Sequence, residues 1–188
     1  AGISIEVEFS SEFRARDIIF HQDTLYLFIS QSGETLDTLV ALKKALKNNV
    51  KTLSLVNTVE SSIAHLTDYI LPLEAGVEKS VAATKSFTAQ LFHLLNIALY
   101  VSHRNNTTNK NDYVALLQDF QNCNSALKQL LSIDNTLAQI SNEIIQAKNI
   151  IFIGRQEMYP LALEGALKLK ELSYLPVHAY AAGELKHG

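Results

Sequence analysis

The chain contains very little cysteine: Cys123 is the only cysteine among its 188 residues. A single cysteine cannot form an internal disulfide, which predicts a reducing, cytoplasmic setting. Cys123 shares helical spacing with Leu116, Phe120 and Leu127, so we expect it on the buried face of an amphipathic helix. A thiol packed in that way is inert, and the pattern does not predict a reactive nucleophile.

Long hydrophobic runs, clusters of basic residues and metal-ligand spacings are also missing. No apolar run approaches the roughly 20 residues needed to span a bilayer, so we expect no membrane segment. The net charge is -3 and no Lys/Arg cluster stands out, which argues against nucleic-acid binding. No metal is expected, because spacings such as HxxxH are missing among the six histidines: His21, His65, His93, His103, His178 and His187.

Strand-like and helix-like segments alternate over residues 1–103. Extended runs are predicted at residues 4–9, 25–30, 52–56 and 69–73, and helices at residues 34–47, 61–66 and 81–103. This order is typical of a parallel sheet covered by helices, so the predicted fold class is α/β. The last of these helices is apolar around most of its surface, and we expect it to pack centrally.

A polar, Asn-rich stretch at residues 104–112 predicts a linker between a first domain at residues 1–103 and a second segment at residues 113–188. Beyond it, helices are predicted at residues 113–131, 137–147 and 158–175, and strands at residues 149–154 and 177–180. So few strands cannot close a core by themselves. Either they complete the first sheet, or the chain belongs to a longer protein and stops within a domain; we favour the second interpretation.

The segment SQSGETLDTL, residues 30–39, joins an apolar strand directly to a helix. The carboxyl end of a parallel strand and the positive end of a helix dipole together favour anion binding. Ser30, Ser32 and Thr35 offer hydroxyl donors, and Gly33 allows close approach of the backbone. These features predict a phosphate site. The alternative is that Ser32 and Thr35 only cap the helix and bind nothing.

The predicted helix at residues 158–175 places Glu164, Lys168 and Glu171 on one face. On a solvent-exposed helix this pattern is a salt-bridge ladder, and that alternative stays open. Gly165 in the middle of the helix favours close packing against a neighbouring backbone. The helix leads into the glycine-bounded loop AGELKHG, which carries His187, so the segment is a candidate for acid–base chemistry.

Together these motifs resemble the isomerase region of the glutamine:fructose-6-phosphate amidotransferase family, which is built from two sugar isomerase (SIS) domains. SQSGETLDTL is similar to the phosphate loop of that family, VAATKSFTAQL to its long core helix, and LALEGALKLKELSY with AYAAGELKHG to its catalytic segment. The resemblance covers nearly the whole chain. It implies a SIS-type parallel sheet flanked by helices, as a three-layer sandwich, followed by the start of a second SIS domain.

The resemblance also implies roles for individual residues. The sugar phosphate would be held by Ser30, Gln31, Ser32 and Thr35. Val81 would contact the sugar, whereas Ala83 stands where the family commonly has a serine, so one sugar hydrogen bond is not expected. Glu171 would move a proton between C1 and C2 of the fructose 6-phosphate imine, and Lys168 would assist proton handling at the sugar oxygens. His187 would help to open the sugar ring and would reach into the neighbouring subunit, which implies a homodimer.

The implied function is isomerisation of fructose 6-phosphate, as its imine, to glucosamine 6-phosphate, without a metal or redox cofactor. Ammonia would come from glutamine through a glutaminase domain that this chain does not contain, so the chain alone should not carry out the full synthesis. Two alternatives stay open. One is a non-catalytic SIS module that senses a phosphosugar, and the other is a different SIS enzyme, such as an aldose–ketose isomerase or a deglycase.

Overall fold

The structure, a computed structural model, describes residues 2–130, 132 and 134–187. The helices are α1 (Ser10–Ala15), α2 (Leu36–Lys47), α3 (Ser62–Leu66), α4 (Lys85–Arg104), α5 (Lys110–Leu130), α6 (Asp134–Ile145) and α7 (Met158–Ser173). The strands are β1 (Leu25–Ser30), β2 (Lys51–Val56), β3 (Tyr69–Pro72), β4 (Ile150–Gly154) and β5 (Val177–Ala181). A 3₁₀ turn, Leu185–His187, follows β5.

The contacts within the chain define two compact units, residues 1–113 and residues 114–188. This division falls inside α5, which begins within the predicted linker. The predicted domain boundaries, with a linker at residues 104–112, stay a prediction.

The first unit is built on a parallel sheet in which β2 lies between β1 and β3. Leu25 of β1 pairs with Lys51, and Leu53 of β2 pairs with Tyr69. Apolar residues fill most positions of β1, as is typical of strands in a parallel sheet that helices cover. The predicted strands at residues 25–30, 52–56 and 69–73 are confirmed to within one residue at each end. The α/β fold class, with parallel sheets flanked by helices, is also confirmed.

A buried apolar cluster joins β1, α2, β2 and α3 in this unit. Its members are Phe28, Ala41, Leu42, Ala45, Val50, Val56, Ile63 and Ala64. Removing such side chains from water contributes about 25 cal/mol for each Å² of apolar surface, so this contact holds the strand and the helices firmly together. The short connection between β1 and α2, residues 31–35, is therefore anchored at both ends.

The second unit contains a separate sheet of two parallel strands, β4 and β5, with α7 between them in the chain. Ile150 pairs with Val177 at the start of the ladder. Ala162 and Ala166 form the buried face of α7. The first interpretation, in which these strands complete the first sheet, is wrong, because within the described residues β4 pairs with β5 alone. The start of a second SIS domain stays a prediction.

The predicted strand at residues 4–9 does not form. Its apolar residues alternate with polar ones, as in a half-buried strand, but Ile5 and Val7 are exposed and no described strand pairs with this segment. A period-two pattern shows which side a strand could bury, whereas a strand also needs a neighbour for its backbone hydrogen bonds. The chain instead runs on into the short helix α1, which the sequence did not predict.

Two predictions about burial are also wrong. Cys123 is exposed rather than packed. α4 begins at Lys85 rather than at residue 81, and Leu91 and Leu95 on it are exposed, so it is not a central helix within this chain. An amphipathic pattern identifies a face that can be buried but not the element that covers it. Leu131, the end of the helix predicted at residues 113–131, and Gly188, the end of the AGELKHG loop, lie outside the described residues.

No helix among the described residues is long and apolar enough to cross a membrane. In the same part of the chain, no group of three or more His, Cys, Asp or Glu side chains is arranged to hold a metal ion.

Candidate functional site

The loop between β1 and α2, residues 30–35, lies at the carboxyl end of β1 and at the amino end of α2. Thr35 is the N-cap residue of α2, with extended backbone angles, and its side chain makes no capping hydrogen bond. The first helical bond runs from the N–H of Leu39 to the carbonyl of Thr35, 2.9 Å. The first N–H groups of a helix have no partner inside the helix, so this end of α2 offers donors to an anion.

Hydroxyl groups in this loop bond to the loop itself. Ser30 Oγ and Thr35 Oγ1 share a hydrogen bond of 2.9 Å, and Ser30 Oγ also accepts the N–H of Gly33 at 3.0 Å. Ser32 Oγ accepts the N–H of Glu34 at 3.2 Å. Ser30 Oγ and Ser32 Oγ thus each accept an N–H, while one hydroxyl of the Ser30–Thr35 pair donates to the other. The proton of Ser32 and one proton of that pair remain to donate. The alternative in which Ser32 and Thr35 act as caps of α2 has no support from this geometry, since neither side chain bonds to the helix.

Hydrogen bonds from the start of α3 hold the loop in place. The carbonyl of Gly33 accepts the N–H of Ile63 at 3.1 Å, and Glu34 Oε1 accepts the N–H of Ser62 at 2.7 Å. Gly33 has a φ of +68°, and a Cβ atom there would overlap with Ser61 Oγ. The bonds from α3 to this loop were not predicted from the sequence. The one sequence feature that points to this support is Ser61, which precedes α3 and accepts the N–H of Ala64.

Two carboxylates near this sheet, those of Glu34 and Asp68, make the first unit less stable at acid pH than at neutral pH. The pKa of Glu34 is lowered, chiefly because the backbone N–H of Ser62 donates to it, and that of Asp68 is lowered chiefly by the N–H of Thr52. A lowered pKa stabilises the fold fully above the ordinary carboxyl pKa of about 4, and this contribution is lost as the pH falls through the lowered value.

We therefore expect the free energy of unfolding of the chain to fall as the pH drops below about 4. The double variant Glu34→Gln with Asp68→Asn should be less stable at neutral pH and should show a shallower fall. Urea unfolding at a series of pH values measures the stability at neutral pH and the steepness of its fall at acid pH. Equal slopes for the double variant and the unchanged chain would contradict the prediction, and Glu12→Gln, on the exposed helix α1, serves as the control.

A cavity of about 580 Å³ opens beside the loop. Its volume lies in the range typical of small-molecule sites, about 300 to 1,000 Å³. It lies where the three strands of the first sheet end, because its lining follows β1, β2 and β3 in the chain. The lining residues are Gln31, Asn57, Thr58, Glu60, Glu74, Gly76, Val77 and Glu78. Ligands of open α/β sheets bind at this edge, so the cavity and the loop form one candidate site.

The predicted phosphate residues and Val81 differ in how they meet the cavity. Gln31 lines it, whereas Ser30, Ser32 and Thr35 belong to the adjoining loop. Val81 is 97% exposed and lies outside the lining. It belongs to the connection between β3 and α4, next to Ala82, which is fully buried.

In the second unit, α7 brings the predicted acid–base side chains together. Lys168 Nζ lies 3.2 Å from Glu171 Oε2 and 3.3 Å from Glu164 Oε1. Partial burial alone would lower the pKa of Lys168, but the hydrogen bond to Glu171 and the charge of Glu164 outweigh it, so the pKa is raised. Lys168 is thus a cation at neutral pH that can donate a proton in a hydrogen bond. The geometry is equally that of a salt-bridge ladder, which therefore stays open.

His187 lies in the 3₁₀ turn after β5 and is exposed. Its backbone N–H donates to the carbonyl of Glu184 at 2.9 Å, and the turn is tied to the end of β4 by the bond from the N–H of Ala182 to the carbonyl of Gly154, 2.9 Å. Among the hydrogen bonds and ion pairs of the described residues, none joins the side chain of His187 to Lys168 or Glu171. The structure therefore groups two of the three predicted catalytic residues.

The packing of α7 corrects one detail of the sequence argument. A Cβ atom at Gly165 would lie 2.9 Å from Cε1 of Phe152 in β4, so the close neighbour is an aromatic ring rather than a backbone. At Gly154 a Cβ atom would overlap with the carbonyl of Met158, in the first turn of α7. Both glycines allow α7 to lie directly on β4, which fixes the position of the face that carries Lys168.

Comparison with known proteins identifies the family. The sequence model of the SIS domain family matches residues 1–101 and 143–188, which include the loop at residues 30–35 and the whole of α7. The chain belongs to the SIS domain family. These matched ranges make up most of the chain, and they agree with the resemblance that its motifs showed.

Relatives of this SIS chain have one activity in their names. This chain is 41% identical over 188 residues to the glutamine–fructose-6-phosphate aminotransferase (isomerizing) of Bartonella quintana, and 44% identical over 188 residues to that of Campylobacter jejuni. Each alignment covers 100% of this chain but 31% of the relative. The chain thus spans about a third of the length of these relatives, and the resemblance to their isomerase region is confirmed.

Solved structures agree on the fold. The C-terminal domain of glucosamine-fructose-6-phosphate aminotransferase from Francisella tularensis superposes with a TM-score of 0.93 and 40% identity, covering 97% of this chain and 52% of the other. Glucosamine-6-phosphate deaminase from Thermotoga maritima superposes with a TM-score of 0.70 and 23% identity, covering 95% of this chain and 52% of the other. At that identity the second likeness shows the SIS fold alone.

Proposed function

We propose that this SIS chain binds the phosphate of a phosphosugar at residues 30–35, as part of an enzyme that converts fructose 6-phosphate to glucosamine 6-phosphate. The observation that carries the proposal is the amino end of α2, which lies at the end of β1 without a side-chain cap from Thr35. Its free N–H groups, together with the hydroxyl proton of Ser32 and the one proton that the Ser30–Thr35 pair leaves free, suit the oxygens of a phosphate.

The sugar would extend from the phosphate into the adjoining cavity. Gln31 follows Ser30 directly and lines that cavity, so a ligand held at the loop can enter it without a gap. The side chains of Gln31, Thr58, Glu60 and Glu74 in the lining offer hydrogen-bond partners for sugar hydroxyls. Val81, exposed on the connection to α4, is proposed to contact the sugar, as the resemblance implies.

Proton transfer is proposed for α7 in the second unit. A carboxylate can take the proton from C1 of the imine and return it to C2, and Glu171 is the proposed base. Lys168, whose raised pKa keeps it charged, would stabilise negative charge that develops on the sugar oxygens. This chemistry moves protons and requires neither a metal nor a redox cofactor.

The remaining parts of the proposal rest on the resemblance of the motifs. Ammonia would come from a glutaminase domain, and His187 would open the sugar ring of the neighbouring subunit in a cytoplasmic homodimer. The exposed position of His187 in the 3₁₀ turn leaves its ring accessible for that role within this chain. The alternative of a sensing module needs only the loop and the cavity. It would bind the same ligand and show no dependence on Glu171.

Ser32→Ala tests the phosphate assignment. We expect the affinity for fructose 6-phosphate to fall by about 1 to 3 kcal/mol, because a hydrogen bond to a charged oxygen is lost. Calorimetric titration of the variant and the unchanged chain measures the difference. Ser11→Ala, on the exposed helix α1, removes a hydroxyl far along the chain from the loop and should leave the affinity unchanged. Equal affinities for Ser32→Ala and the unchanged chain would mean that the hydroxyl of Ser32 serves the loop alone.

A further inference from the structure

A second segment that lines the cavity has no helix or strand of its own. It comprises residues 75–84, the larger part of the connection between β3 and α4, and we call it the wall segment. Gly76, Val77 and Glu78 of the wall segment line the cavity. Since no ladder or helix fixes this backbone, its conformation depends on bonds from side chains.

Asn57 fixes the first end of the wall segment. Its Nδ2 donates to the carbonyl of Gly76 at 2.7 Å, and its Oδ1 accepts the N–H of Ala75 at 2.9 Å. The backbone N–H of Asn57 donates in turn to the carbonyl of Gln31 at 3.1 Å. Asn57 therefore joins the phosphate loop to the wall segment.

Glu78 fixes the other end. Its Oε2 accepts the N–H of Thr84 at 3.2 Å, the N–H of Ser86 at 3.2 Å and the hydroxyl of Ser86 at 2.9 Å. Thr84, the N-cap residue of α4, makes no side-chain cap of its own, so Glu78 caps this helix from six residues earlier in the chain. Ser86 is fully buried, so the carboxylate is held against a fixed point.

The charge of Glu78 suits this role. The pKa of its carboxyl is lowered, chiefly by the N–H of Ser86 and further by the positive charge of Lys85, so the group is ionised at neutral pH. A negative charge at the amino end of a helix is favourable because it opposes the helix dipole. The bonds from Glu78 close residues 79–84 into a loop in which Ala82 is buried and Val81 points outward.

We infer that Asn57 and Glu78 are positioning residues that hold the wall segment in the conformation against which the sugar end of a phosphosugar packs. The inference rests on the proposed function. It separates two parts of the site, because the phosphate loop is held by Ser61–Ile63 and by its own hydroxyls, whereas the wall segment is held by these two side chains. Loss of either residue should weaken recognition of the sugar without weakening recognition of phosphate.

Hydrogen exchange tests the first half of the inference without any ligand. In Glu78→Ala the amides of Thr84 and Ser86 should exchange at least about tenfold faster, because their acceptor is gone. Glu78→Gln keeps a neutral acceptor oxygen and should lie between Glu78→Ala and the unchanged chain. Asn57→Ala removes both the acceptor of the N–H of Ala75 and the donor to the carbonyl of Gly76, so the amide of Ala75 should exchange faster. Unchanged exchange of these amides would overturn the inference.

Ligand titration tests the second half. For Glu78→Ala and Asn57→Ala we expect the dissociation constant of fructose 6-phosphate to rise about tenfold, while that of inorganic phosphate stays within about twofold. Glu12→Gln removes one carboxylate outside the site and should change neither value. Equal losses for both ligands, or no loss for either, would overturn the inference.

Failure of the proposed function has a different signature. If the unchanged chain binds neither fructose 6-phosphate nor inorganic phosphate, the proposed function is wrong, and the exchange rates alone decide whether these residues hold the wall segment. Thermal unfolding of each variant shows whether it is folded. Should Glu78→Ala not fold, Glu78→Gln and Asn57→Ala carry both measurements.

Discussion

Glu171→Gln, in a full-length synthase that contains this chain, should lower the rate of amino-sugar formation by about 10²- to 10⁴-fold, the usual contribution of a general base. Glutamine has the size of glutamate but cannot accept the proton from C1 of the sugar. The affinity for fructose 6-phosphate should change little, since the phosphate is proposed to bind in the first unit. Turnover and calorimetric titration of the same variant measure the two effects separately.

Glu164→Gln is the matched control on the same helix. Glu164 and Glu171 both lie within 3.3 Å of Lys168 Nζ, so each substitution removes one partner of the same ammonium group. If Glu171 is the base, Glu164→Gln should lose far less turnover than Glu171→Gln. Similar small losses for the two variants would mean that the three residues form only a salt-bridge ladder, and retained turnover in Glu171→Gln would exclude it as the base.

Gly33→Ala should abolish phosphosugar binding and lower the stability of the first unit. At a φ of +68° an alanine has an unfavourable backbone conformation, which costs about 1 to 2 kcal/mol. The added methyl group would also overlap with Ser61 Oγ, so the loop must move away from α3. Losing two or more hydrogen bonds to a charged phosphate costs about 1.5 to 3 kcal/mol each, so we expect the affinity for fructose 6-phosphate to fall by at least about 100-fold.

Gly76→Ala separates the two causes. Gly76 has nearly the same φ, +67°, but the nearest atom to its added Cβ is Lys85 Nζ at 4.0 Å. Thermal unfolding should therefore show a smaller loss of stability for Gly76→Ala than for Gly33→Ala. Equal losses would mean that the overlap with Ser61 is relieved without cost and that α3 does not support the loop.

Local sequence patterns predicted those features of the fold that depend on one continuous segment of the chain. The strand at residues 25–30 was predicted at its observed bounds, because a run of apolar residues bordered by Ser30 and a helical period leaves one interpretation. The loop that follows was predicted as the phosphate site for the same reason. Its supports were not predicted, because the bond from Ser62 to Glu34 joins residues 28 positions apart.

Predictions that depended on a neighbour failed. Residues 4–9 have the pattern of a strand without a described strand to pair with, and Cys123 lies on an apolar helix face that is exposed in this chain. For α7, spacing placed Glu164, Lys168 and Glu171 on one face, and the ion pairs confirm that arrangement. Spacing could not show whether the face serves catalysis, since a base and a salt-bridge ladder have the same sequence pattern.

Calorimetric titration of the 188-residue chain with fructose 6-phosphate, with unphosphorylated fructose as the control, tests the central claim most directly. The proposed function predicts binding that requires the phosphate and that is weakened by inorganic phosphate as a competitor. A folded sample that binds neither sugar, or that binds both with the same affinity, would contradict the assignment of residues 30–35 as the phosphate site.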